Sequence, residues 1–181
     1  MASVVLTPDP ILTQKSKAVL KIDKKVLELI EELKKTLQQA KKPKGVGLAA
    51  PQIGKPWQIF ITRPTLTSPI QVFINPKITW LSKELSDGVP KKEKKLEGCL
   101  SIPEVWGKVK RAKALRLRFL TPDGRSQEQT FSGLMATIIQ HEMDHLEGKL
   151  FTSRVLEQKG KLYKSEKDKE EKEILEEIKL T

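Results

Sequence analysis

Between residues 26 and 40, apolar side chains recur at Val26, Leu29, Ile30, Leu33, Leu37 and Ala40, with Lys and Glu between them. That spacing predicts an amphipathic helix, and Asp23 stands where its N-cap belongs. Residues 1–20 read as an extended arm ending at Val19-Leu20, and Pro43 is expected to stop the helix. The rhythm then changes. Gly45-Val46-Gly47-Leu48-Ala49-Ala50-Pro51-Gln52-Ile53-Gly54 is an apolar, glycine-rich loop. Two glycines so close together point to something approaching the backbone. The loop lacks the Gly-Lys-Ser/Thr ending of a phosphate loop. Residues 58–62 and 71–75 are short apolar, β-branched runs, and 82–95 reads as an exposed polar connection.

From 111 to 120 the chain alternates, with Leu115, Leu117 and Phe119 set against Arg116 and Arg118, which predicts a half-buried strand. Thr121-Pro122-Asp123-Gly124 turns it into a second strand over 125–131, making a hairpin. Ser132 is placed to cap a second helix, Gly133–Leu146, with Gly148 as its stop. Residues 164–181 are dense in Lys and Glu, with Ile174, Leu175 and Ile178 interspersed, and read as a solvated terminal helix. The expected fold class is therefore α+β: antiparallel strands packed around a central metal-binding helix, with an N-terminal helix and a C-terminal helix. The expected organisation is one catalytic domain over 1–163 and a charged helical tail over 164–181.

A chain of 181 residues is long enough for one sizeable core. It has no apolar run that would span a bilayer, and its start lacks the basic and apolar regions of a signal peptide. A single cysteine excludes an internal disulfide and fits a reducing compartment, so a cytoplasmic protein without a membrane partner is expected. The formal charge of +11 concentrates in Lys41-Lys42-Pro43-Lys44, in Lys91-Lys92-Glu93-Lys94-Lys95 and over 108–118. Such charge fits either a polyanionic partner or a well-solvated surface. With aromatics at only 5% the chain lacks base-stacking platforms, and no sequence-specific nucleic-acid binding is expected.

The chemistry concentrates in few residues. The only two histidines are His141 and His145, in Gln140-His141-Glu142-Met143-Asp144-His145, and the only cysteine is Cys99, in Glu97-Gly98-Cys99-Leu100-Ser101. Positions i and i+4 share a helix face, so both imidazoles can point at one metal ion. A thiolate from Cys99 would complete three protein ligands and leave a position open, the mark of a catalytic site. Glu142 is placed to act as a base for a hydrolytic water, and Gln52 and the Leu100 backbone N–H are candidate oxyanion donors. Leu134, Ile138 and His141 share a face, so an apolar wall runs into the site.

These segments together resemble peptide deformylase. Gly45-Val46-Gly47-Leu48-Ala49-Ala50-Pro51-Gln52 looks like that family's first motif, Glu97-Gly98-Cys99-Leu100-Ser101 its second and Gln140-His141-Glu142-Met143-Asp144-His145 its third. Pro8-Asp9-Pro10-Ile11-Leu12 and the stretch 148–151 agree as flanks, so the resemblance covers roughly 5–155. It implies removal of the formyl group from N-formyl-methionyl nascent polypeptides, with release of formate. It implies one divalent ion, Fe²⁺, with Zn²⁺, Ni²⁺ or Co²⁺ able to substitute, held by Cys99, His141 and His145. Glu142 would move the proton, while Gln52 and Leu100 N–H would stabilise the oxyanion. The peptide would lie extended along Gly45, Val46 and Gly47, with Glu97 and Gly98 on the substrate side and Leu134, Thr137 and Ile138 lining the methionine pocket. The chain departs from the family pattern in its charged 82–95 connection and in Ile138, which is bulkier than the small residue often found there.

Two rivals stand beside this reading. A zinc endopeptidase of the HExxH type would take a third ligand downstream, and Glu147 or Glu157 are the residues available. A binding-only ribosome or RNA protein would use the basic charge but need not keep Glu142 with Gln52. Work on nascent chains further predicts weak, salt-sensitive ribosome association. Glu97 is expected to pair with Arg111, bracing the Cys99 segment. The tail holds no catalytic candidate, so its removal should leave short-peptide turnover almost unchanged.

Overall fold

The structure is a computed structural model that describes residues 2–40, 45–90, 95–167 and 173–179. Among these the chain runs α1 (Lys24–Gln39), β1 (Gly47–Ala49), β2 (Ile59–Thr62), β3 (Gln71–Leu81), β4 (Glu97–Cys99), β5 (Ile102–Gly107), β6 (Ala114–Leu120), β7 (Ser126–Ser132), α2 (Gly133–Leu146), α3 (Phe151–Glu157), β8 (Leu162–Lys167) and β9 (Glu173–Glu177). Single 3-10 turns form at Pro10–Thr13 and Ala50–Ile53. Two antiparallel sheets result, one in the order β1-β2-β3-β6-β7 and one in the order β4-β5-β8-β9. The α+β class expected from the residue pattern is the class observed.

Strand β2 shows why its residues read as a continuous apolar run. Ile59 and Ile61 pack with Leu29, Ile30, Leu33 and Leu37 of α1. Phe60, on the opposite face, joins Phe73, Phe119 and Phe131 and the Ala136 and Ile139 side chains of α2. Successive strand residues point to opposite faces, so a strand covered by a helix on each side must be apolar throughout. The Phe73 ring lies 4.7 Å from both Phe60 and Phe119, fixing the layer under α2. A third cluster, of Val109, Phe151, Val155 and Leu162, contains Cys99 and lies between the second sheet and α3. Helix α2 therefore has the large sheet on one side and β4 on the other.

Local signals are realised at both main helices. Asp23 Oδ1 accepts the Val26 N–H at 3.1 Å, and α1 ends at Gln39, ahead of Pro43, which lies outside the described residues. Ser132 occupies the N-cap of α2 but its side chain makes no capping bond. Gly148 follows α2 with φ +69°, a left-handed conformation that glycine adopts at low cost.

Among the described residues the C-terminal helix is not formed. Residues 162–167 and 173–177 are strands that pair with each other, and β8 in turn pairs with β5. Position 163/164, where the tail was expected to begin, lies inside β8, and the described residues beyond it up to Glu177 pair into the second sheet. The physical reason is long-range. β5 offers an edge with unpaired backbone groups, and Leu162 and Ile178 reach the cluster around Phe151 and Val155. Pairing and burial outweigh the local helical propensity of a Lys/Glu-rich segment, which tertiary context overrides. The 82–95 connection is also less exposed than expected: Ser86 and Val89 are buried, and Ser86 N–H donates to Arg111 O at 2.7 Å. Lys91-Lys92-Glu93-Lys94 and Lys41-Lys42-Pro43-Lys44 lie outside the described residues. Helix α3 had no sequence counterpart.

Candidate active site and metal centre

Cys99 closes β4, and His141 and His145 sit one turn apart on α2, on the side that faces β4. The Cys99 Sγ lies 3.3 Å from His145 Nε2, and the donor atoms of Cys99, His141 and His145 lie within 4.8 Å of one another. For ligands at roughly 2.3 Å (sulfur) and 2.0 Å (nitrogen), a tetrahedral S···N edge is roughly 3.5 Å. The cluster thus has the size and donor chemistry of a three-ligand metal site. Glu142 is 3% exposed, and its Oε2 is buried without a hydrogen-bond partner. An unpartnered buried carboxylate oxygen is costly and is what a group reserved for substrate or water looks like. The downstream acids proposed for a peptidase do not reach the site: Glu147 pairs with Lys15 at 3.0 Å and Glu157 with Arg154 at 3.2 Å.

A buried ionic network supports the ligands. Arg111 donates to both oxygens of Glu97, from Nε at 2.6 Å and from Nη2 at 2.9 Å, as expected. Its Nη1 donates to Asp144 at 2.9 Å, and Arg154 donates to the same carboxylate at 2.6 Å. Glu97 Oε2 lies 3.0 Å from His141 Nδ1, leaving Nε2 of that ring for a metal. Glu97 stands on the substrate side, as the resemblance implies it would. It lines the cleft, but Arg111 and His141 engage both its oxygens. Arg111, counted among the basic surface stretch 108–118, is only 5% exposed and contributes nothing to that surface. The roles of Asp144 and Arg154 were not foreseen. Asp144 lies inside the third motif, but nothing in the sequence tied it to Arg111 and Arg154.

Gln52 lies under the thiolate. Its Nε2 donates to Cys99 Sγ at 3.4 Å and to Ser101 Oγ at 3.2 Å, while its Oε1 accepts the Ala49 N–H at 2.9 Å. The opening above is a cleft of about 100 Å³. Gly45, Val46, Gly47, Gln52, Glu97, Gly98, Cys99, Leu100, Leu134, Thr137, Ile138, His141 and Glu142, all singled out from the sequence, line it. Val89 and Trp106 also line it and were missed. Gly47 touches the acid directly: a Cβ there would lie 2.2 Å from Glu142 Oε1.

The electrostatics separate the groups. Burial pushes the Glu142 carboxyl up to about 7. Burial also opposes ionisation of Glu97, but the Arg111 guanidinium and the His141 hydrogen bond hold it down at about 2. Burial alone would raise the Cys99 thiol; the two imidazoles beside it instead bring it well below its ordinary value, toward the thiolate a metal requires. The site therefore contains one fixed carboxylate and one poised near neutrality.

The comparisons with known proteins agree. The family model for polypeptide deformylase matches residues 1–161. A peptide deformylase of Bartonella tribocorum is 41% identical over 156 residues, which cover 83% of this chain and 82% of that protein. The crystal structure of a peptide deformylase from Synechococcus elongatus superposes with a TM-score of 0.75 at 37% identity, covering 84% of this chain and 78% of the other. That of Thermotoga maritima gives 0.76 at 31% identity, covering 85% and 97%. The chain belongs to the peptide deformylase family. It is a metal-dependent hydrolase that removes the N-formyl group from nascent polypeptides.

Proposed function

We propose that in this deformylase Cys99, His141 and His145 hold one divalent ion and that Glu142 is the proton-transfer residue. The observation that carries this reading is three donors within 4.8 Å, with an unpartnered Glu142 oxygen beside them. A bound divalent ion supplies Lewis acidity at the formyl carbonyl and lowers the pKa of the attacking water. Glu142 takes a proton from that water and passes it to the departing methionine nitrogen. The new C–O bond forms, the C–N bond breaks, and formate leaves. A buried carboxylate with no other hydrogen-bond partner on one oxygen is free to make both transfers. The Leu100 N–H next to Cys99, and Gln52 Nε2 on giving up its 3.2 Å bond to Ser101 Oγ, are the donors for the tetrahedral oxyanion.

The formyl peptide lies extended along Gly45, Val46 and Gly47. β1 is the outermost strand of its sheet and offers backbone groups for strand addition. The methionine side chain meets Leu134, Thr137 and Ile138 on α2. The ion is Fe²⁺ by the family resemblance, though two imidazoles and a thiolate also suit Zn²⁺. The enzyme works in the cytoplasm, where nascent chains emerge, and no described helix is long and apolar enough to cross a membrane. Its ribosome contact is weak and lost with salt, carried by exposed cations such as Arg116 on the outer face of β6.

Metal analysis of anaerobically purified protein, paired with turnover of a formyl-methionyl peptide, tests the assignment. The expected result is one ion per chain in the parent and neither metal nor turnover in Cys99→Ala. A folded Cys99→Ala that keeps both overturns it.

A further inference from the structure

We infer that Trp106 selects the side chains that follow formyl-methionine in the substrate. The inference rests on assigning the cleft to the formyl peptide, as above. Gly98 and Trp106 are partners in the β4–β5 ladder. A Cβ built on Gly98 would lie 2.7 Å from the indole, so the bare backbone of β4 is what lets the ring settle there. The indole therefore lies against β4 one residue before Cys99. Trp106 is half-buried and lines the same cleft as Gly45, Val46 and Ile138.

An extended peptide alternates its side chains between two directions. With methionine directed at the α2 wall, the side chain after it is directed away from that wall. Of the remaining cleft lining, Trp106 is the one aromatic group. Its apolar, polarisable surface rewards aromatic and branched aliphatic partners and offers nothing to glycine or to a carboxylate. Backbone strand addition alone accepts any sequence. Trp106 adds a preference to it.

The test is a series of formyl-Met tripeptides with Phe, Leu, Gly or Asp at positions two and three in turn. Each is assayed with metal-loaded parent, Trp106→Ala, Trp106→Phe and Gly98→Ala. The parent should favour Phe over Gly by about fivefold in kcat/KM, the scale of one aromatic contact. Trp106→Ala should collapse that ratio at unchanged metal content, and Trp106→Phe should restore most of it. Gly98→Ala displaces the ring without removing it and should also reduce the ratio. An unchanged ratio, or a loss equal for all peptides, overturns the inference. Glu142→Gln run in parallel keeps the failures apart. An active Glu142→Gln sinks the site assignment, whereas an inactive one with an unchanged Trp106→Ala ratio sinks the selectivity alone.

Discussion

Arg111 grips Glu97 through two parallel hydrogen bonds, at 2.6 and 2.9 Å, with both side chains at most 5% exposed. The pair matters because Glu97 in turn holds His141, so a cation beyond the ligand sphere sets the orientation of a ligand. Arg111→Ala would leave Glu97 and Asp144 buried without their shared partner. The expected loss is about 3–5 kcal/mol of stability, read by chemical denaturation. Glu97→Gln replaces one acceptor with a donor that opposes Arg111 and loosens His141. It should weaken metal binding by roughly 10–100-fold, measured by competition with a chelator. Unchanged affinity would show that His141 needs no brace.

Glu142→Ala should keep metal near one equivalent per chain yet lose roughly 10²–10⁴-fold in turnover, because Glu142 moves protons and is not a ligand. Loss of the metal in this variant would reverse the role assigned.

Gly47→Ala tests the contact between β1 and the acid. A Cβ at this position would lie 2.2 Å from Glu142 Oε1 and 2.8 Å from its Cδ. The carboxylate must swing away, and a misplaced catalytic group can cost about 10²-fold in rate. Folding should survive, since the clash falls on a side-chain end rather than on backbone. Full activity in this variant would mean that Glu142 works from a different position.

Deletion of 173–181 removes β9 and Ile178, which packs against the cluster containing Cys99, Phe151 and Val155. Uncovering that cluster should lower stability by about 1–3 kcal/mol, seen as a reduced Tm. Short-peptide turnover at low temperature should persist, because none of the cleft-lining residues lies in the segment. An unchanged Tm would restore the picture of a dispensable solvated tail.

One feature of the site and one of the fold were legible in the sequence because they are local. The four-residue interval of His141 and His145 places both rings on one helical face, and Glu142 comes with them. The alternation over Leu115, Leu117 and Phe119, followed by Thr121-Pro122-Asp123-Gly124, specifies a hairpin without reference to the rest of the chain. The two-faced burial of β2 was legible as an apolar run, though not which helix covered which face. What depended on partners distant in sequence could not be read this way. Asp144 becomes structural only when Arg111 and Arg154 arrive from other elements. Trp106 enters the cleft only because it falls opposite a glycine in the ladder. The segment after Leu162 carries a pattern compatible with a solvated helix, and it becomes sheet because the edge of β5 and an uncovered apolar cluster are there to receive it. Periodicity and capping act within a few residues and are written in the chain, whereas edge pairing and buried charge neutralisation depend on which surfaces meet, and only the folded structure decides that.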